Sequence, residues 1–440
     1  MTLADARGLA LSTDRPASVA GYAQALDLFN SLRTDPVAVL QPVLDEDPDF
    51  IAGHLLMAGF MLSGFDAGLL PAARECLAAA RGGRRRPNPR EQSFQAALQH
   101  WADGGMAHAN RLLDRHLVDH PRDLFALQLA HMSDLVLGRS QMLRDRIGRV
   151  LAQWSESDAG FGYLLGMQAF GFEECNEYAR AEALGLQALE RNPHDTWAVH
   201  AVAHVYEMQG RVDEGIRWLS TGTSLWQCDN ALAVHNFWHL ALLHLSNDDP
   251  ASALAVYDRA IAPGPASMAM DLADASALLW RLGLRGVDVA GRWQSLAARW
   301  REQAHWGWSV FNDVHAMLAL VGAREHEAAQ AGRRAMAAVP AAAPGPWWGE
   351  AGTVCEAVMA FGEGRHAHCA ELLLPLLPDA QGYGGSQAQR SLLHLTAMEA
   401  ARRAGDAALW RALDSEGSAR RPARGRPSGV SCAARSLATA

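Results

Sequence analysis

The feature that most limits what this chain can fold into is a helical period that never gives way to a strand period. From about residue 17 to residue 414 almost every stretch is an Ala- and Leu-rich amphipathic segment broken by Gly, Pro or Asp. β-branched runs with period two do not occur, so an all-α architecture follows. Small residues also recur seven apart with a Pro five further on, as in Ala181, Ala188 and Pro193, and the same spacing returns in Ala328, Ala335 and Pro340. Taking Pro193 as position 32 of a repeat makes Thr196 position 1 of the next, which sets Tyr206 at position 11 and Gly210 at the turn. In the unit after that, Ala253, Tyr257 and Ala260 take positions 20, 24 and 27, with Leu240 and Ala241 at 7 and 8.

These spacings match the tetratricopeptide unit, a helix pair of about 34 residues. A single helix pair cannot bury its apolar face, so such units stack into a superhelix with a concave inner surface. About ten helical hairpins are expected, forming one helical-repeat superhelix over residues 1–414. From Gly417 onward the chain carries Arg but no acid and few large apolar groups, so residues 415–440 are expected to be a disordered, Arg-rich tail. The stretches 82–91 and near 345 are the expected breaks in regularity.

The first helix of each unit lines the inner surface, mainly through positions 2, 5, 6, 9, 12 and 13. In the Thr196 register these include Trp197, His200, His204 and Glu207. Glu173 and Glu174 take positions 12 and 13 of the unit before, and His235 and His239 take positions 2 and 6 of the unit after. Each His pair is four apart and so shares one helix face. Asp313, at position 5 of a later unit, is placed to join from across the superhelix, whereas His315 at position 7 falls between helices.

Two chemistries fit this set. Neutral imidazole is the commonest metal ligand, and His-x3-His beside carboxylates suits zinc, iron or manganese. A divalent transition metal on His200, His204, His235 and His239 would make a metal-dependent enzyme or binder. Alternatively the acids and imidazoles bond one another and the indoles of Trp197 and Trp238, fixing helix packing or recognising a ligand, either a peptide or a small molecule. A protein-interaction scaffold is the third reading, and it would spread Arg or Asn contacts over many units. Outside the cluster, His54 and His131 are expected to be satisfied core histidines. The segment 384–390 resembles a phosphate loop but lacks the Lys and the preceding strand, so Ser386 is expected to cap the following helix.

Charge and composition bound the partners. The formal net charge is -9 with acids and bases interspersed, which leaves no basic stripe to neutralise phosphates, and nucleic acid is not expected as a partner. No charged amino-terminal region precedes an apolar core, and no window of about twenty apolar residues exists, so a cytoplasmic protein without a membrane partner is expected. The six Cys are widely spaced, as reduced thiols would be. The 39 basic residues are all Arg, which suggests a GC-rich coding sequence and a bacterial source.

Five blocks carry a family resemblance: AFGFEEC (169–175), WAVHAVAHVYEMQGR (197–211), HNFWHLAL (235–242), FNDVHAMLA (311–319) and GGSQAQR (384–390). On these the chain resembles the tetratricopeptide repeat protein 38 family over roughly residues 20–414. The resemblance implies a helical-repeat superhelix and no settled biochemical activity. It adds His315, Gln387 and Arg390 to the candidate site residues. Ser391 stands where an acidic residue is usual after the Arg of the last block.

Overall fold

The computed structural model describes residues 3–264, 267–339 and 348–420. Among them are twenty-two α-helices. Strand is confined to Leu3–Ala4 and Ala10–Leu11, which pair antiparallel at the amino terminus. The helices pack as consecutive antiparallel pairs, so the twenty-two make eleven hairpins, for example Ile51–Ser63 with Leu70–Gly82 and Phe161–Glu174 with Tyr178–Arg191. The last helix, Ala407–Arg420, takes in residues 415–420, which were expected to belong to the tail. The rest of that tail, 421–440, and most of the expected break near 345 lie outside the described residues.

One rule sets how most of the hairpins close. The fourth residue of the second helix is buried against its partner, as at Ala109, Leu143, Ala181, Ala253 and Ala329. Where that residue is Ala the two backbones can approach closely, which is why small residues mark the register in those hairpins. The rule corrects one expected phase: in His326–Ala337 the buried positions are Ala329, Gly332 and Met336, one residue on from Ala328 and Ala335. The positive-φ Arg324 (φ 60) ends the preceding turn one residue later than the spacing implies, and the helix face rotates with it.

First helices are buried on nearly every side. Thr196–Met208 has all its residues in the interior, as a helix surrounded by neighbours must. Two apolar cores meet along it. Trp197 and Ala201 belong to the amino-terminal core, while Val199 and Ala203 belong to the carboxy-terminal one.

The superhelix winds tightly enough that distant hairpins touch. Thr34 N donates to Asp229 O at 2.8 Å and Ala231 N to Leu32 O at 2.7 Å. Tyr163 Oη donates to Asp27 Oδ1 at 2.8 Å, and Asn312 Nδ2 donates to Phe65 O at 3.1 Å. Gln387 N donates to Glu174 Oε1 at 2.7 Å, a contact spanning 213 residues. These contacts draw distant hairpins together, and the polar cluster between them is buried. The concave surface around the polar cluster is therefore a closed interior in place of the open groove that the repeat pattern implies.

Candidate functional site

Three neighbouring first helices, Phe161–Glu174, Thr196–Met208 and Ala233–Ser246, bring the cluster together. Thr196–Met208 is started by Asp195, whose carboxylate accepts from Ala198 N at 3.1 Å, and the turn after it is made by Gly210 at φ 68. Cap and turn thus fix where His200, His204 and Glu207 lie along the axis. All of Glu173, Glu174, His200, His204, Glu207, His235 and His239 are buried.

The four histidines form one group, each able to offer a ring nitrogen, with those atoms all within 4.8 Å of one another. Two are oriented from behind. His235 Nδ1 lies 2.8 Å from Asp274 Oδ2, and His239 Nδ1 lies 2.8 Å from Glu207 Oε2. A carboxylate accepts, so each Nδ1 carries the proton, and in a neutral ring Nε2 is left as a lone pair. Those two Nε2 atoms face each other at 3.2 Å. Two lone pairs at that distance repel unless a proton or a cation lies between them. His200 and His204 add four ring nitrogens with no hydrogen-bond partner. Trp197 Nε1 and Trp238 Nε1 are likewise buried without an acceptor. Orphaned polar atoms in such number are uncommon in a folded interior and call for a ligand or ion.

Electrostatics follow from burial. It holds His200 and His239 well below the usual imidazole range, the neighbouring imidazoles adding to the effect. Burial lowers His204 to about 4, against the opposing pull of Glu207 and Glu174. Burial also pushes Glu173 well above the usual carboxyl range, reinforced by Glu174 and Glu207. Neutral imidazoles are the form that ligates metal.

A second group adjoins the first through His204. Glu173, Glu174 and His204 offer ligand atoms within 4.8 Å of one another. Glu173 Oε2 is 3.3 Å from His204 Nδ1, without the geometry of a hydrogen bond, and neither Glu173 oxygen has a partner. Glu174 is taken up from the carboxy-terminal end: Arg390 Nη2 donates to its Oε2 at 2.9 Å and Gln387 N to its Oε1 at 2.7 Å. Gln387 and Arg390 therefore reach the cluster through Glu174. Ser386 caps their helix, accepting from Gln389 N at 3.3 Å.

Asp313 and His315 are held elsewhere, correcting the placement of Asp313 across the superhelix from the histidines. Both Asp313 oxygens accept from Gly307 N, at 3.2 and 3.1 Å, and burial raises the carboxyl to about 7. His315 Nδ1 is 2.7 Å from Phe311 O and 3.2 Å from Tyr383 Oη, and burial lowers the ring to about 4. His54 is half-buried with Nε2 2.8 Å from Pro48 O. His131 is a core residue as expected, but neither ring nitrogen makes a well-formed hydrogen bond, and the Leu143 backbone only partly offsets its burial.

Sequence reasoning missed Asp274 and Arg281, both on the next first helix, Ala269–Leu284. Asp274 orients His235, and the Arg281 guanidinium lies 5.3 Å from the Trp238 ring centroid. The signal was available: acids at 271 and 274 stand one turn apart on the first helix of the adjoining unit.

No family model matches this chain. Among solved structures, human IFIT1, described as a dimer with m7Gppp-AAAA, is similar over 92% of this chain and 95% of that chain, at 11% identity and a TM-score of 0.39. The matched protein is described with a nucleic-acid ligand, the partner class that the charge pattern set aside for this chain. No helix among the described residues is long and apolar enough to cross a membrane.

Proposed function

We propose that this helical-repeat protein binds a divalent transition metal in its interior through His200, His204, His235 and His239, with Glu207 and Asp274 orienting two of the rings. The observation that carries the reading is the 3.2 Å separation of the His235 and His239 Nε2 atoms, each ring already anchored at Nδ1 by a carboxylate. A tetrahedral zinc with Zn–N of about 2.0–2.1 Å has an N···N edge of roughly 3.3 Å. Carboxylate–histidine–metal chains of this kind fix tautomer and ring direction. A cation relieves the repulsion of the two lone pairs and, unlike a single shared proton, also gives the unbonded nitrogens of His200 and His204 a partner.

The ligand that the histidine and glutamate cluster takes is, on this reading, the ion itself, since an interior closed on all sides suits an ion better than a peptide. A metal-dependent enzyme is the second reading. Its specific support is the pair of indole N–H donors, Trp197 and Trp238, which have no acceptor and would suit a group bound to the metal. We further take the chain to be a relative of the tetratricopeptide repeat protein 38 family on the five blocks, and to work in the cytoplasm on the wide spacing of its cysteines.

Elemental analysis of the full chain purified without chelator tests the proposal. Wild type is expected to carry a stoichiometric transition metal, and the His235→Ala plus His239→Ala variant to lose it from the four-histidine position. Wild-type protein that stays metal-free after equilibration with zinc overturns the reading.

A further inference from the structure

We infer that the four-histidine position has a neighbour, a second cation position formed by Glu173, Glu174 and His204, so that the interior holds a two-ion centre with the His204 ring shared between them. The inference rests on the proposed metal at the four histidines and extends it.

Two observations carry it. The first is geometric: ligand atoms of Glu173, Glu174 and His204 converge within 4.8 Å, and His204 Nδ1 is the nitrogen that faces Glu173, at 3.3 Å. The two nitrogens of an imidazole point to opposite sides of the ring. A His204 that loses its ring N–H proton to solvent as the ions bind can give Nδ1 to the Glu173 side and Nε2 to the histidine side, bridging the two as an imidazolate.

The second observation is the state of Glu173. It is 0% exposed, and both its oxygens lack a partner. Its neighbour Glu174 has bonds at both oxygens from Gln387, Arg390 and Ser140. A buried carboxyl with two unused oxygens beside a saturated one is arranged to bind something through those oxygens, and the atom opposite it is a ligating nitrogen. Hard cations accept carboxylate oxygens singly or in pairs.

The test is a metal count on the folded full-length chain, equilibrated with excess zinc and then desalted. Wild type is expected to retain two equivalents per chain and Glu173→Gln one. Wild type retaining one equivalent overturns the second position and leaves the four-histidine reading standing, whereas retention of none overturns both. Two equivalents in both proteins remove Glu173 from the ligand set and overturn the inference as stated. Should the Glu173→Gln chain fail to fold, wild type loaded with cobalt decides: magnetic coupling between two ions through a shared imidazole supports the arrangement, and two independent ions overturn it.

Discussion

At the scale of single residues, burial alone makes pH sensors of histidines that have no part in the site. His131 lies against Phe170 and Trp197 with no well-formed hydrogen bond at either nitrogen, and burial, with a contribution from Arg146 and against a weak pull from the Leu143 backbone, lowers it from 6.5 to about 3. The unfolded chain takes up a proton at this ring as pH falls through about 6.5, while the folded chain does not until about 3. Stability tied to His131 is therefore complete above 6.5 and declines as pH drops through that window. His131→Leu removes both the proton linkage and an unsatisfied polar group. It is expected to raise stability at pH 7 by about 1–2 kcal/mol and to narrow the difference in Tm between pH 7.5 and pH 5. A variant with the wild-type acid sensitivity would show that the ring has a partner after all. The same burial was not legible in the sequence, where a histidine on an apolar face gives no sign of whether its nitrogens find acceptors.

At the scale of helices, the positions that set spacing are glycines and alanines, and they were the legible part. Ala181 and Ala188 marked the hairpin correctly because a small residue at a helix crossing is required by packing, whatever the surrounding sequence. Ala328 and Ala335 misled by one position because neighbouring alanines, at 329 and 331, make the phase ambiguous when the composition is so rich in Ala. Gly171 shows how tight a crossing can be. A Cβ there would sit 2.5 Å from Arg144 N and from the Leu143 carbonyl, backbone atoms of the helix Ser140–Leu151 that cannot step aside like a side chain. Gly171→Ala must push Phe161–Glu174 away from its neighbour, at a cost of about 1–3 kcal/mol or more. Because Glu173 and Glu174 follow at once on the same helix, bound metal is expected to fall along with Tm. Gly352→Ala is the control: nothing lies within 4 Å of its added Cβ in the helix Trp348–Gly362. There the substitution is expected to stabilise by about 0.5–1 kcal/mol, from helix propensity alone. Thermal melts and metal content of the two variants side by side check the pair, and equal behaviour would sink the packing argument.

At the scale of the whole molecule, closure is what repeat counting could not deliver. A register assigns inward faces one unit at a time, and for that reason it sets all seven clustered acids and imidazoles on three neighbouring first helices, while giving no sign that Glu174 is also met by the far end of the chain. Whether the hollow stays open depends on superhelical pitch, which accumulates from small rotations that no single unit encodes. Here the last long helix, Gln387–Arg403, returns to the middle of the chain, and Arg390 meets Glu174 across 216 residues of sequence. Both are buried, so removing one partner leaves the other charge unpaired, a loss of about 3–5 kcal/mol where the site cannot relax. This molecule can relax, by letting the terminal hairpin swing away and admitting water to Glu174. Arg390→Ala is accordingly expected to lower global stability by less than that figure. It should strip hydrogen-exchange protection from 387–403 in particular and speed removal of the bound ion by a chelator several-fold, because the closed interior is what shields the metal. Protection lost evenly over all hairpins would instead make the ion pair an ordinary contributor to the core, with no special hold on access to the site.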